Sequence, residues 1–328
     1  MTLPRRVLPG RPVMVTRRCA QRKLFLRPDA VVEQVVTYCL ALAAERHGVE
    51  VFCLVVLSNH IHLGLVDRRG ELPRFAALFN GLVARAMNVK LRRGENFWSP
   101  GSYSAVTLGD PDAVLDKIVY MTCNPVEAGL VESPEAWPGL ITTPGDLCRR
   151  ELVADRPSFF FRQPRDDAGG EDEGGSAAGR ARRRRPPRGL LPERVRLRLV
   201  RPPGLDDLDD DAVRALVSER VSAKVAEIHA RREAEGLGPF LGREAVLLQD
   251  PEGVPGPSKP GFGLNPRVAC RDRWRRAELL EDLVEFWRAH QEAAARFRAG
   301  ERGVHFPAGT YGYRVLFGVR CRPASLAA

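Results

Sequence analysis

Histidine and lysine are scarce in this 328-residue sequence, and it contains neither long apolar runs nor closely paired cysteines. The seven cysteines include no CxxC pair, which argues against a zinc knuckle and a disulfide framework. No apolar run reaches the roughly 18 residues that indicate a membrane span. The N-terminus has no apolar block of the signal-peptide kind. We therefore expect a cytoplasmic protein with reduced thiols and no membrane partner.

Basic residues outnumber acidic residues by 51 to 41, which gives a net charge of +10. Only five of the 51 are lysine, so arginine supplies most of the positive charge. Arginine binds phosphate in a bidentate manner, and a strongly basic chain favours nucleic-acid partners. A GC-rich coding bias would enrich arginine as well, together with alanine, glycine and proline. Composition leaves both explanations open.

Residues 1–150 predict one α/β unit with the element order β-α-β-β-α-β-α. Pro28 and Gly48 bound an amphipathic helix, and two β-rich runs follow it, joined around Ser58 and Asn59. The first six elements are those of a ferredoxin-like (RRM-like) sandwich, with helices on one face of a four-stranded antiparallel sheet. The seventh element is an added helix that reaches at least Pro125. The predicted fold class is therefore α+β.

The remaining sequence predicts a linker and an extension. Residues 151–190 are Gly-rich and acidic, then rich in arginine and proline, which is typical of a disordered linker. Residues 191–328 predict a mostly helical extension, with long helices over about 209–234 and 272–299 and an extended C-terminal end. No motif in this extension indicates a chemistry.

The segment "VLSNHIHLGLV" places two of the six histidines one residue apart on a predicted strand. Residues two apart on a strand point to the same face, about 6.6 Å apart along the chain. His60 and His62 should therefore project side by side, while Ile61 and Leu63 face a core. Two imidazoles in this arrangement can converge on one cation. Alone, the H-x-H pattern is more often structural than metal-binding.

The added helix contributes "KIVYMTCNPVEAGLV", in which Tyr120 and Asn124 share a helical face because they are four residues apart. A helical tyrosine is commonly a core residue, and an asparagine before proline commonly ends a helix. Combined with the two histidines, however, this face offers a phenol and an amide oxygen. Such a set can hold a divalent ion and attack phosphorus.

The two motifs "LSNHIHLGLV" and "YMTCNPVEAGLV" resemble those of the HUH single-strand transposases. The similarity is greatest to the REP-associated tyrosine transposases, whose pattern runs near "MPNHVHLLV … YIHLNPVRAGLV". The resemblance covers about residues 12–133. Ser58 replaces the usual proline, and Thr122 stands where relatives often have histidine. Thr122 therefore leaves no histidine at that position to shuttle protons.

The resemblance implies a role for each matching residue. His60, His62 and Asn124 would be ligands of Mg²⁺ or Mn²⁺. Tyr120 would be the nucleophile that forms a 5′-phosphotyrosine with single-stranded or hairpin DNA. The implied function is cleavage and rejoining of single-stranded DNA by a transposase, which would be a monomer or a dimer.

Several basic and aromatic residues are further candidates for DNA contacts. The arginines expected to bind nucleic acid are Arg17, Arg18, Arg92, Arg93, Arg182, Arg183, Arg184 and Arg185. Phe97, Trp98 and Tyr103 would stack on unpaired bases. The alternative is that these three aromatic residues belong to the core and that the arginines are simply solvated.

Two other functions stay open at this point. One is a non-catalytic protein, derived from a transposase, that binds single-stranded or hairpin DNA; it predicts salt-sensitive binding without cleavage. The other is a metal-dependent phosphodiesterase in which water attacks, so that loss of the Tyr120 hydroxyl would have no effect on cleavage.

Overall fold

A computed structural model describes residues 3–160, 191–256 and 266–323 of the chain. Its strands and helices form an α+β fold, which confirms the predicted class. The strands are β1 (Pro12–Arg18), β2 (Val49–Leu57), β3 (His60–Asp67), β4 (Ser104–Leu108), β5 (Glu151–Asp155), β6 (Arg194–Arg198) and β7 (Val268–Ala269). The helices are α1 (Ala30–His47), α2 (Leu72–Lys90), α3 (Pro111–Glu127), α4 (Asp210–Ala234), α5 (Arg243–Leu247), α6 (Arg273–Arg298) and α7 (Gly312–Phe317).

Local signals in the sequence account for the ends of α1 and α3. The Asp29 carboxylate accepts a hydrogen bond from the Val32 amide at 2.8 Å, and Gly48 ends α1 in the left-handed region with φ of 63°. Asp110 caps α3 by accepting from the Ala113 amide at 2.6 Å. Pro125 lies in the last turn of α3, and the helix ends two residues later.

The main sheet has five strands in the order β2-β3-β1-β4-β7. The first four pair in an antiparallel manner, whereas β7 pairs with β4 in parallel. The prediction of a four-stranded, purely antiparallel sheet is therefore incomplete. It missed β7 because a two-residue strand has no periodicity of its own and forms only where it meets the free edge of β4.

The two faces of the sheet are covered differently. One core lies between the sheet and helices α1 and α2, and it includes Ile61, Leu63 and Leu65 of β3. The other lies between the opposite face, α3 and α4, and it includes Phe52 of β2 and Val66 of β3. Helix α3 is thus packed on the face that His60 and His62 share.

The extension after residue 190 packs against the first 160 residues. Strand β6 pairs with β5, and α4 packs along α3. Because β5 forms at residues 151–155, this part of the predicted linker is a strand. Residues 161–190, on which the rest of the linker prediction depends, lie outside the described residues. The boundaries at 150 and 190 stay predictions.

Three arginines of the extension form ion pairs with carboxylates on α3. Arg271 contacts Asp116 through two hydrogen bonds, of 2.7 and 2.8 Å. The other two pairs are Arg220–Asp112 at 3.1 Å and Arg231–Glu127 at 2.6 Å. The Asp110 carboxylate also accepts from the backbone amides of residues 271 and 272. These contacts join α3 to the extension.

The C-terminal end differs from its prediction as an extended segment. Residues 312–317 form α7, which packs its aromatic side chains with those of α6. Within the part of the chain that the structure describes, no helix has the length and apolar character that a membrane crossing requires.

Candidate metal and nucleophile site

The alternation of β3 places both histidines on the face that α3 covers. Their ring centroids are 4.7 Å apart, and the rings are nearly perpendicular at 88°. His62 is buried, with 4% of its surface exposed, whereas His60 is half-buried at the start of the strand. The geometry expected from the H-x-H spacing is therefore present.

Each histidine has one ring nitrogen held by a polar neighbour. The His62 Nδ1 lies 2.7 Å from the Thr16 hydroxyl oxygen, on the strand position directly opposite in β1. The His60 Nδ1 lies 2.5 Å from the amide oxygen of Asn59. An amide oxygen only accepts hydrogen bonds, so Nδ1 of His60 carries the proton and Nε2 keeps its lone pair. This arrangement is typical of metal-binding histidines, whose second nitrogen is oriented by a hydrogen bond.

The second nitrogen of His62 is the least satisfied polar atom of the site. Its Nε2 is fully buried and has no hydrogen-bond partner among the described residues. A buried polar atom without a partner normally costs about 1–3 kcal/mol, so such atoms call for an explanation. A cation bound between the two imidazoles would provide the missing interaction.

The surroundings favour the neutral form of both imidazoles. Burial lowers the pKa of His60 to about 4, and the positive charge of Arg18 contributes in the same direction. Burial also lowers the pKa of His62 well below its usual range, helped by the charges of His60, Arg18 and Lys117. Both rings are therefore uncharged at neutral pH, which is the form that binds metal ions.

Helix α3 brings Tyr120 and Asn124 to the same place. The Tyr120 ring centroid lies 5.4 Å from that of His62, with the rings at 76°. Tyr120 is 44% exposed, so its hydroxyl group is open to a substrate. Asn124, one turn further along α3, is buried and near enough to His60 to raise the pKa of that ring, against the larger effect of burial. All four residues predicted for the site thus lie together.

Two positive side chains border this group. Arg18 is exposed and lies opposite His60 in the pairing of β1 with β3. The ammonium nitrogen of Lys117 lies 5.3 Å from the centroid of the Tyr120 ring. The site therefore combines neutral metal-binding groups with positive charge, which suits a phosphate-containing substrate.

The other candidate arginines lie in different surroundings. Arg17 points to the α2 side of the sheet, where it donates to the backbone oxygen of Gly101 at 3.0 Å. Arg93 pairs with Glu252 and lies over the Phe25 ring, whereas Arg92 is exposed. The set Arg182, Arg183, Arg184 and Arg185 lies outside the described residues. Of these eight arginines, only Arg18 is placed beside the histidines in the described part of the chain.

The three aromatic residues considered for base stacking are buried. Phe97, Trp98 and Tyr103 are each less than 10% exposed and belong to the core on the α1/α2 side. The Trp98 indole nitrogen donates to the backbone oxygen of Asn80 at 2.9 Å. The core alternative is therefore correct for these residues, and stacking on a base would require them to leave the core.

The donor set fits a divalent ion whose remaining ligands come from water or from a substrate. The described residues contain no cluster of three or more His, Cys, Asp or Glu side chains placed for a metal. The candidate set instead has two imidazoles and one amide oxygen, which leaves several positions for water and phosphate oxygens. Mg²⁺ in particular usually retains such ligands.

No family model matches the sequence, and no curated protein matches it. Two solved structures are similar to parts of the chain. A REP-associated tyrosine transposase bound to a REP hairpin is 17% identical, with a TM-score of 0.36, over 42% of this chain and 81% of that one. A candidate transposase from Deinococcus radiodurans R1 is 24% identical, with a TM-score of 0.26, over 33% of this chain and 85% of that one.

Sequence reasoning missed three residues of the site. Thr16 and Asn59 orient the histidines, and Lys117 borders the tyrosine. Asn59 precedes His60, and Lys117 is one turn before Tyr120, so proximity to the motifs would have indicated both. Thr16 lies 46 residues before His62, and nothing in the sequence indicates the strand register that joins them.

Proposed function

We propose that the chain is a metal-dependent tyrosine transposase of the HUH class, which cleaves and rejoins single-stranded or hairpin DNA. The observation that carries this proposal is the exposed Tyr120 ring 5.4 Å from His62, whose buried Nε2 has no partner among the described residues. The strand order β2-β3-β1-β4, with α1 and α2 on one face, is in keeping with the ferredoxin-like arrangement of that class. The proposed setting is the cytoplasm.

Under this proposal His60, His62 and Asn124 hold Mg²⁺ or Mn²⁺. The ion would supply charge neutralisation at a phosphate oxygen. The Asn59 oxygen holds the His60 ring through its Nδ1 proton, and the Thr16 hydroxyl orients the His62 ring through Nδ1. Metal binding to neutral imidazoles also releases few protons, because burial already keeps both rings deprotonated.

Tyr120 is the nucleophile of the proposed reaction. Its hydroxyl oxygen forms a bond to phosphorus and loses its proton to solvent, while the bond from phosphorus to the 3′ oxygen breaks. The released oxygen takes up a proton and becomes a 3′-hydroxyl. The phosphotyrosine conserves the energy of the phosphodiester, so attack by a 3′-hydroxyl reverses the step and joins DNA at the same site.

The test is covalent trapping on single-stranded hairpin DNA with Mn²⁺ or Mg²⁺. We expect a protein–DNA adduct that survives denaturing electrophoresis and is lost in Tyr120→Phe. Tyr311→Phe is the matched control, because the Tyr311 hydroxyl has no hydrogen-bond partner in the described structure, so its removal should leave the adduct unchanged.

Each alternative gives a different result in this assay. Salt-sensitive binding without cleavage at any metal concentration would identify a non-catalytic DNA-binding protein. Cleavage without an adduct, unchanged in Tyr120→Phe, would identify a phosphodiesterase that uses water. An adduct that persists in Tyr120→Phe would show that another residue is the nucleophile.

A further inference from the structure

Lys117 differs from the other lysines that the structure describes. Lys23, Lys90 and Lys224 each form an ion pair with a carboxylate, from Glu252, Asp29 and Glu227 respectively. The ammonium group of Lys117 has no hydrogen bond or ion pair with any described residue. Its Nζ atom lies 5.3 Å from the centroid of the Tyr120 ring.

This unpaired charge exists although α3 is rich in acidic residues. Asp116 is the neighbour of Lys117 in the chain, but its carboxylate accepts from Nε and Nη2 of Arg271 and lies 3.8 Å from Nη1 of Arg220. Asp112 and Glu127 are likewise paired with arginines of α4. The arginines of the extension thus engage these carboxylates, and the positions one turn from Lys117 (113, 114, 120 and 121) hold no acidic residue. Lys117 is therefore left without a counter-ion among the described residues.

The position of Lys117 is also defined relative to the histidines. It lies one turn before Tyr120, on the helical face that the tyrosine and Asn124 share. Its charge acts on His62 as well, since it is one of the charges that disfavour protonation of that ring. The ammonium group thus lies at the edge of the space bounded by the phenol and the imidazoles.

We propose that Lys117 is a catalytic residue that contacts the non-bridging oxygens of the scissile phosphate. The inference rests on the proposed function of Tyr120. The phosphodiester carries one negative charge, and attack by the tyrosine oxygen adds charge to the oxygens around phosphorus before the 3′ oxygen leaves. The two histidines and Asn124 are uncharged, so Lys117 contributes the chain's own positive charge beside the nucleophile. Its role is electrostatic, and it transfers no proton.

The first experiment measures single-turnover cleavage of hairpin DNA at saturating Mn²⁺ and protein. Lys117→Met keeps the length of the side chain and removes its charge, and we expect the rate constant to fall by about 10²-fold, as for other lost electrostatic donors. Lys117→Arg restores the charge and should recover most of the rate. Lys224→Met is the matched control, because Lys224 pairs with Glu227 on an exposed part of α4.

A second substrate separates a catalytic role from a structural one. A methylphosphonate at the scissile position has a methyl group in place of one non-bridging oxygen and carries no charge, so the difference between the wild-type protein and Lys117→Met should shrink on this substrate. Thermal stability should be the same in both proteins, and Mn²⁺ affinity should not fall, because Lys117 places positive charge near His62.

Three outcomes would overturn the assignment. They are wild-type cleavage by Lys117→Met, an equal loss in Lys117→Arg and Lys117→Met, and an undiminished defect on the methylphosphonate. A wild-type protein that forms no adduct would instead remove the proposed function itself, and the Lys117 assignment with it.

Discussion

Strand β3 has eight residues, and its two faces serve different purposes. On one face Ile61, Leu63 and Leu65 are almost completely buried among the side chains of α1 and α2. On the other, His60 and His62 meet the polar part of α3, and His62 has a buried nitrogen without a partner among the described residues. The apolar side chains of the first face thus stabilise the fold. The second face holds the His62 ring where its buried nitrogen lacks a partner that a bound ligand would supply.

Substitutions on the two faces should affect function and stability in opposite ways. We expect His62→Ala to have the largest effect on cleavage and metal binding. Cleavage should fall to the level of the metal-free control, and Mn²⁺ binding measured by calorimetry should be lost. The free energy of unfolding should fall less than in Ile61→Ala, because removal of an unpartnered buried nitrogen partly offsets the cavity and the lost contact with Thr16.

Ile61→Ala is the matched change on the other face. It should lower the free energy of unfolding by about 2–5 kcal/mol, because it leaves a cavity in a close-packed core. Urea denaturation measures this loss, and Mn²⁺ affinity of the folded fraction should be retained. A large loss of stability in His62→Ala, with little in Ile61→Ala, would contradict the proposed division between the faces.

Gly64→Ala tests how closely β3 packs against Phe52 on the face that the histidines share. A Cβ at this position would lie 2.4 Å from a ring carbon of Phe52, so the ring would have to move. Overpacking of this kind typically costs about 1–3 kcal/mol, measurable by urea denaturation. Gly81→Ala is the control, since nothing lies within 4 Å of its added Cβ and alanine favours the helix. Equal stability of both variants would show that the Phe52 ring yields easily.

The smallest expected effect concerns the ion pair between Arg271 and Asp116 of α3. Arg271→Gln removes the pair with Asp116, and we expect a loss of at most about 1 kcal/mol in the free energy of unfolding, because both partners are well exposed. Asp116 then keeps only the longer contact with Arg220, at 3.8 Å. More of its negative charge acts on the neighbouring Lys117, so cleavage should fall more than after Arg275→Gln, which removes the exposed Arg275–Glu278 pair within α6. Equal cleavage rates in the two variants would show that the Arg271–Asp116 pair has no influence on the site.

The sequence predicted much of the first 150 residues because their signals are local. Asp29, Gly48 and Asp110 act within one turn of the helix ends that they define. The alternation of β3 predicted the shared face of the histidines. Strands β5, β6 and β7 and helices α5 and α7 were missed, because their short segments carry little periodicity. The strands depend on partners more than 35 residues away, and α7 depends on aromatic packing.

The sequence by itself determined which chemical groups are available and which neighbours share a face: two imidazoles two residues apart, and a phenol four residues before an amide. Only the tertiary structure decided that these two pairs meet, because that depends on which sheet face α3 covers. It also decided the surroundings of His62 and Lys117. Strand register places the Thr16 hydroxyl beside His62, and Arg271 of the extension engages the carboxylate of Asp116, the chain neighbour of Lys117. Such partners are set by packing between distant segments, on which local patterns carry no information.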